Sequence, residues 1–304
     1  MDHDGHRALI WRENGDWLGP AAAFVREGVS RQEPVCVGVC PPAGAALAGL
    51  LPGEPLVSFF DMARLGRNPS RIIPAMLDFA RRHPGRPLRY LSQPFWAGRS
   101  EAACAETVRH EALLGLALAD RTATVMCVYE ARRQAGLTGR AVSCAEQTHP
   151  VLVAGGQPWP SRRYAGPGVV PPPCDPPLSP PPASASWLTY RDDLHRVRKL
   201  VSACASEAGL ADGRITDLVL AASEVAANTL RHGGGLGTLR VWATADEVIC
   251  QVTDLGRIDD PLAGRRPPVS DDRGQGLWVV NQVCDLVELR SGAAGTTVRM
   301  HMHR

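Results

Sequence analysis

With 304 residues, 44% of them hydrophobic and 21% charged, the chain has enough apolar surface for two ordinary domains and too little charge bias to stay unfolded. A net charge of +2, with acidic and basic residues interleaved, offers no footprint for a nucleic-acid backbone, so direct DNA binding is not expected. The start MDHDGHRALIWRENG lacks a signal-peptide pattern and no stretch approaches a membrane-spanning apolar run, which predicts a cytoplasmic protein with no membrane contact.

In chain order, the apolar runs ALIW, PVCVGV, LVSFF, LRYL and TVMCVY read as short strands. They alternate with helical patterns over residues 17–31, 70–82 and 101–119. Such alternation predicts a mostly parallel sheet covered by helices. Neither GxxxxGK[ST] nor a GxGxxG after a strand occurs here, so nothing in this half marks a phosphate site. The nine cysteines are scattered, mostly within apolar segments, and read as reduced structural residues. Cys36 and Cys40 are four apart with no partner pair, which is not a metal-binding framework.

Between Pro158 and Pro182 lie 11 prolines and no apolar periodicity, so residues 156–184 read as a semi-rigid linker between a domain at 1–155 and another at 185–304. After it the pattern becomes helix, helix, hairpin, loop, helix, hairpin. Residues 191–208 and 215–230 read as amphipathic helices, 239–243 and 248–254 as strands, 276–284 as a short helix, and 286–290 and 296–301 as strands. This order predicts an α/β sandwich.

Four elements of the second half carry chemically apt residues. In LVLAASEVAANTLRHGGG, Glu224, Asn228 and His232 follow one another at four-residue spacing and share a helix face. A carboxylate there can accept a hydroxyl proton and an amide oxygen can ligate magnesium, although a solvated helix face ending at Gly233 would look the same. In VTDLGRIDD, Asp254 ends a strand and Gly256 leaves room for a ligand against the backbone; alone, DxG is a turn. In DDRGQGLWVVNQVCD, Gly274, Gly276 and Leu277 open a helix whose amides suit phosphate oxygens. In SGAAGTTVRMHM, Thr296 and Thr297 enter the last strand after Gly295, as in many hairpins.

Taken in order, E-x3-N-x3-H, DxG, GxGL and GTT resemble the N, G1, G2 and G3 boxes of the GHKL superfamily, and the stretch is similar to its RsbW and SpoIIAB-type anti-sigma-factor kinase domains. The resemblance implies a Bergerat-type sandwich that binds ATP and Mg2+. It implies Glu224 as general base, Asn228 as magnesium ligand, and Asp254 as acceptor for the adenine amino group with Gly256 beneath the base. Gly274 and Gly276 would let residues 257–275 fold over the phosphates, His232 and Leu277 would lie in the nucleotide site, and Thr296 or Thr297 would complete the adenine pocket. One departure stands out: the second glycine of DxGxG is Ile258. A bulkier residue there threatens turnover more than binding, because phosphoryl transfer depends on close positioning.

The segments HRALIW, FVREGVSRQEPVCVGV, DMARLGRNPSRIIPAMLDF and FWAGRSEAACAETVRHEALLGLAL resemble the MEDS sensory domain that precedes such kinase domains in RsbA-family regulators. The resemblance implies sensing of an unspecified small molecule. Arg64, Asn68, Arg71, His110 and Glu111 are its polar candidates, though surface charge and helix capping explain them more simply.

Together the two resemblances imply a regulator that sequesters a sigma factor and phosphorylates Ser or Thr of a STAS-domain anti-anti-sigma partner, with homodimerisation left open. Ile258 favours an alternative in which nucleotide only orders a non-catalytic sigma-factor-binding module. A sensor histidine kinase would need a phosphoacceptor helix before the ATPase domain, where the prolines stand, and His195 is the sole local candidate.

Overall fold

The computed structural model describes residues 5–11, 17–131, 137–172, 175–268 and 275–304, with side chains of the helix at Leu137 described from 141 onward. The chain divides into two compact units, Met1–Pro176 and Pro177–Arg304.

The first unit runs β1 (His6–Trp11), α1 (Leu18–Ser30), β2 (Val35–Val39), α2 (Pro41–Leu50), β3 (Val57–Asp61), α3 (Met62–Leu65), α4 (Ile72–Arg82), β4 (Leu88–Ser92), α5 (Glu101–Ala117), β5 (Ala123–Glu130), α6 (Leu137–Thr148), β6 (Val151–Ala154) and β7 (Gln157–Pro160). Its seven strands are ordered β3-β2-β4-β5-β1-β6-β7. The first six pair in parallel and only β7 is antiparallel, so the sheet is mostly parallel as the alternating pattern implies. Helices cover such a sheet on both faces, which is why β2 and β4 are buried at every position. On one face Trp17, Phe24 and Val25 pack against Val37, Leu91 and Val128. Helix α5 begins where Ser100 Oγ accepts from Ala103 N at 3.1 Å, satisfying one free amide of its first turn.

Two features depart from the sequence reading. Helix α2 opens on Pro41 and Pro42, which suit a first helical turn because their missing N–H groups are needed by no partner there. Strand β7 lies inside the stretch read as linker, with Pro158 and Pro160 opposite Val153 and Val151. Prolines are tolerated because β7 is the sheet edge and bonds on one side alone.

The second unit runs β8 (Ser186–Tyr190), α7 (Leu194–Glu207), α8 (Asp212–His232), β9 (Gly237–Ala243), β10 (Glu247–Asp254), α9 (Gln275–Val283), β11 (Leu286–Gly292) and β12 (Gly295–His303). Its strands form an antiparallel sheet ordered β11-β12-β10-β9-β8. Alternation along β9 and β12 sends Leu239, Val241, Val298, Met300 and Met302 into one core with Val197, Leu218, Ala222 and Val225 of α7 and α8. This is the expected α/β sandwich. Strand β8, not foreseen, adds an edge beside β9. Helix α8 starts at Asp212, three residues before the apolar pattern becomes regular, with a carboxylate in its first turn. No helix among the described residues is long and apolar enough to cross a membrane.

Candidate functional site

In the second unit Glu224, Asn228, Asp254, Gly256, Gly276 and Thr296 gather where the end of α8, the end of β10, the start of α9 and the β11–β12 hairpin meet. Asp254 is held from two sides. Its Oδ1 accepts from Gly256 N at 2.8 Å and its Oδ2 accepts from Thr229 Oγ1 at 2.7 Å. Tyr190 OH donates to the same Thr229 oxygen at 3.0 Å. Burial, opposed by the Thr229 hydrogen bond and reinforced by the charge of Asp254, pushes the Tyr190 phenol up to about 12, so it stays a donor. Neither Thr229 nor Tyr190 was marked by the boxes. A hydroxyl on the Glu224–Asn228–His232 helix, one residue beyond Asn228, was the only sequence cue.

Glycines make the approach possible. A Cβ on Gly233 would lie 2.5 Å from Asp254 Cγ, and one on Gly256 would lie 2.7 Å from Gly233 Cα and 2.8 Å from the carbonyl oxygen of His232. Gly256 is therefore required for the loop to pack on the end of α8. Gly295 adopts φ +111 and its Cβ would strike the Asp254 carbonyl oxygen at 2.1 Å. Thr296 Oγ1 donates to the Gly256 carbonyl at 2.8 Å and lies 2.7 Å from Ser291 Oγ, which accepts from Ile258 N at 2.8 Å. These bonds pin the loop after β10 to the hairpin. Thr297 lies apart from this network, with Oγ1 3.3 Å from Thr253 Oγ1.

The second cluster lies at the start of α9. A Cβ on Gly276 would be 3.1 Å from Glu224 Oε2 and 3.1 Å from Asn228 Nδ2, so the bare glycine backbone faces both half-buried side chains. Leu277 packs into the core beneath. Of the segment read as a lid, residues 262–265 dock on α9: Gly264 adopts φ +72 and its carbonyl accepts from Asn281 Nδ2 at 3.0 Å. Gly274 lies outside the described residues. Among the described residues Gln32 is the sole non-glycine with positive φ, so Ile258 occupies a backbone conformation that a β-branched residue tolerates. His232 is exposed at the end of α8, and His195 is exposed in the first turn of α7.

In the first unit, Arg64 is exposed and Asn68 caps a 3-10 turn by accepting from Ser70 N at 3.2 Å. His110 and Glu111 depart from the expectation of surface charge: both side chains are buried, at 0% and 1% exposure.

The second unit is thus an antiparallel sheet backed by three helices, with carboxylate, amide and glycine turns collected at one end. Residues 188–302 match the family model of the histidine kinase-like ATPase domain, and residues 5–150 match that of MEDS, the methanogen/methylotroph, DcmR sensory domain. The chain thus carries a MEDS domain followed by a GHKL-type, nucleotide-binding ATPase domain. Among solved structures it is similar to the RsbU and RsbW domains of Rv1364c from Mycobacterium tuberculosis, at 21% identity and a TM-score of 0.30, over 40% of this chain and 34% of that one. It is also similar to a second solved structure, that of an isolated ATPase domain, at 10% identity and a TM-score of 0.34, over 51% of this chain and 70% of that one. The chain therefore spans about a third of the first of these structures. No curated protein matches it.

Proposed function

We propose that the second unit binds ATP with Mg2+ and that the chain is an anti-sigma-factor regulator, sequestering a sigma factor and phosphorylating Ser or Thr of a STAS-domain partner. In this reading the MEDS domain senses a small molecule and controls that choice. The observation that carries it is the pairing of two clusters along one helix: a doubly anchored Asp254 at the end of α8, and Glu224 with Asn228 against Gly276 a turn or two earlier. The sigma factor and STAS partner are supported by the resemblance of the four boxes to anti-sigma-factor kinases.

The residues fit the nucleotide. Asp254 presents an ionisable carboxylate fixed against rotation, apt to accept from the adenine amino group, with Thr229 and Thr296 steadying the pocket wall. Asn228 supplies an amide oxygen, a donor of the hard kind that magnesium takes. The Gly276 backbone, free of a side chain, opens α9 toward phosphate oxygens. ATP and Mg2+, when bound, would supply an activated phosphoryl group. Glu224 would accept the proton of the partner's hydroxyl, and Asn228 would hold the cation. Incubation with labelled ATP and the cognate STAS protein tests this: label on its Ser or Thr is expected. ATP binding with no transfer to any STAS partner selects the non-catalytic reading, which Ile258 in place of the second G1 glycine favours.

A further inference from the structure

The first unit contains a second collection of chemically active side chains, remote in sequence from every box. His6 on β1, Glu111 on α5, Cys127 on β5 and His149 just after α6 bring one donor atom each within 4.8 Å of one another, and all four are buried. The fold explains the convergence. Strands β1 and β5 are parallel neighbours with Ala8 opposite Cys127, so His6 and Cys127 alternate onto the same face. That face meets Glu111 of α5 and the α6–β6 junction, because β6 pairs with the other side of β1.

The contacts within the cluster are those of donors around a common point. Glu111 Oε2 is 3.1 Å from His149 Nε2 and 3.5 Å from His6 Nε2, and His6 Nε2 is 3.6 Å from Cys127 Sγ. Tetrahedral ligands held at about 2.0–2.3 Å from an ion stand about 3.3–3.8 Å apart. Neither Glu111 oxygen nor His149 Nε2 makes a hydrogen bond of sound geometry, although the side chains are only 1% and 0% exposed. A fully buried carboxylate without such bonds is costly.

The tautomer of His149 sharpens the case. Thr148 Oγ1 donates to the Cys144 carbonyl at 2.8 Å, so toward His149 Nδ1, 2.9 Å away, it can only accept. The Ala145 carbonyl, 3.1 Å from the same nitrogen, is likewise an acceptor. Nδ1 therefore carries the proton, and in the neutral ring Nε2 aims a lone pair at the Glu111 oxygen. In that neutral form two acceptors face each other at 3.1 Å. A cation between such groups satisfies both, and hydrogen bonding at the far ring nitrogen is how proteins orient a ligating imidazole.

We propose that His6, Glu111, Cys127 and His149 form a site for one transition-metal dication of the zinc class. Two imidazoles and a thiolate select borderline and soft ions over magnesium or calcium. Charge supports the same class: one thiolate and one carboxylate neutralise a dication, leaving a buried site with no net charge. The ion would tie β1, β5, α5 and the α6–β6 junction together, coupling metal occupancy to folding of the unit.

The full-length protein, stripped with chelator and titrated with Co2+, tests this. One Co2+ per chain is expected, with a thiolate-to-cobalt charge-transfer absorption that Cys127→Ser abolishes and that excess Zn2+ displaces. Thr148→Val leaves all four donors in place and removes one acceptor behind His149, so Co2+ affinity should fall about tenfold. That variant keeps the test decisive should Cys127→Ser not fold. A folded wild type, by circular dichroism, that takes up no stoichiometric Co2+ or Zn2+ overturns the proposal. So does a charge-transfer band unchanged in folded Cys127→Ser, which would assign the ion to another cysteine.

Discussion

The two units place ionisable groups in opposite surroundings. In the first, His6, Glu111, Cys127 and His149 are buried and come from β1, α5, β5 and the turn between α6 and β6. In the second, Glu224, Asn228 and Asp254 are half-buried, lie on one helix and one strand end, and are surrounded by glycines that keep side chains away. A closed cluster suits a resident ion that need not leave, whereas an open one suits a nucleotide that must enter, react and depart. Burial thus separates two kinds of polar site that composition alone would not distinguish.

The comparison breaks most sharply at Glu224, if the open site is catalytic. Glu224→Gln keeps size and hydrogen bonding but removes the proton acceptor, so transfer to the STAS serine should fall by about 100- to 10,000-fold with ATP affinity little changed. Asn228→Ala should instead lower Mg2+-dependent binding and transfer together. A variant pair that fails identically, in single-turnover assays and calorimetry, would remove the division of labour.

A smaller effect concerns a buried network inside the open unit. His301 lies 3.1 Å from Glu247 and 3.0 Å from Glu288, with Arg299 beside Glu288 and His303 beside Glu247. Burial lowers the imidazole, but the two carboxylates outweigh it and raise His301 from 6.5 to about 9. Because the folded state binds this proton more tightly, the stabilisation is complete below 6.5 and is lost as pH rises through about 9. The loss should be on the order of 3 kcal/mol. Urea unfolding of wild type and His301→Gln across that range checks it: the two curves should converge at the alkaline end.

Asp254→Asn comes next. One amide cannot accept from both Gly256 N and Thr229 Oγ1, so the carboxamide turns an NH2 toward a donor or toward adenine. ATP binding should weaken by about 1.5–3 kcal/mol, read by calorimetry, and unchanged affinity would take Asp254 out of the site.

The smallest effect expected is none. Residues 177–304 expressed alone should fold and bind nucleotide as the full chain does, since their core is complete within the unit. An unfolded fragment would show that the two regions are not separable.

The fold of the second unit was largely legible because its pattern is written along the chain. Glu224, Asn228 and His232 share a helical period, Asp254 and Gly256 share a turn, and Gly276 sits at a helix start, so spacing on the chain translates directly into spacing on the surface. The same holds for the alternating strands and helices of the first unit, where periodicity gave a mostly parallel sheet. Edges were less legible: β7 hides in prolines that only an edge position tolerates, and β8 carries Trp187 at 65% exposure, without the alternation of a half-buried strand. Thr229 and Tyr190 became visible only when β8 and β10 were seen to meet α8. The metal-ligand cluster lies further still from the sequence. His6, Glu111, Cys127 and His149 follow no spacing, and Glu111 reads as a surface charge until α5 is laid on the sheet. The sequence by itself determined which backbone elements form and where the glycine turns fall, because these are local consequences of side-chain period and backbone freedom. Which distant donors share one buried point was decided by strand order and helix packing, because proximity across a parallel sheet depends on crossovers that no local pattern encodes.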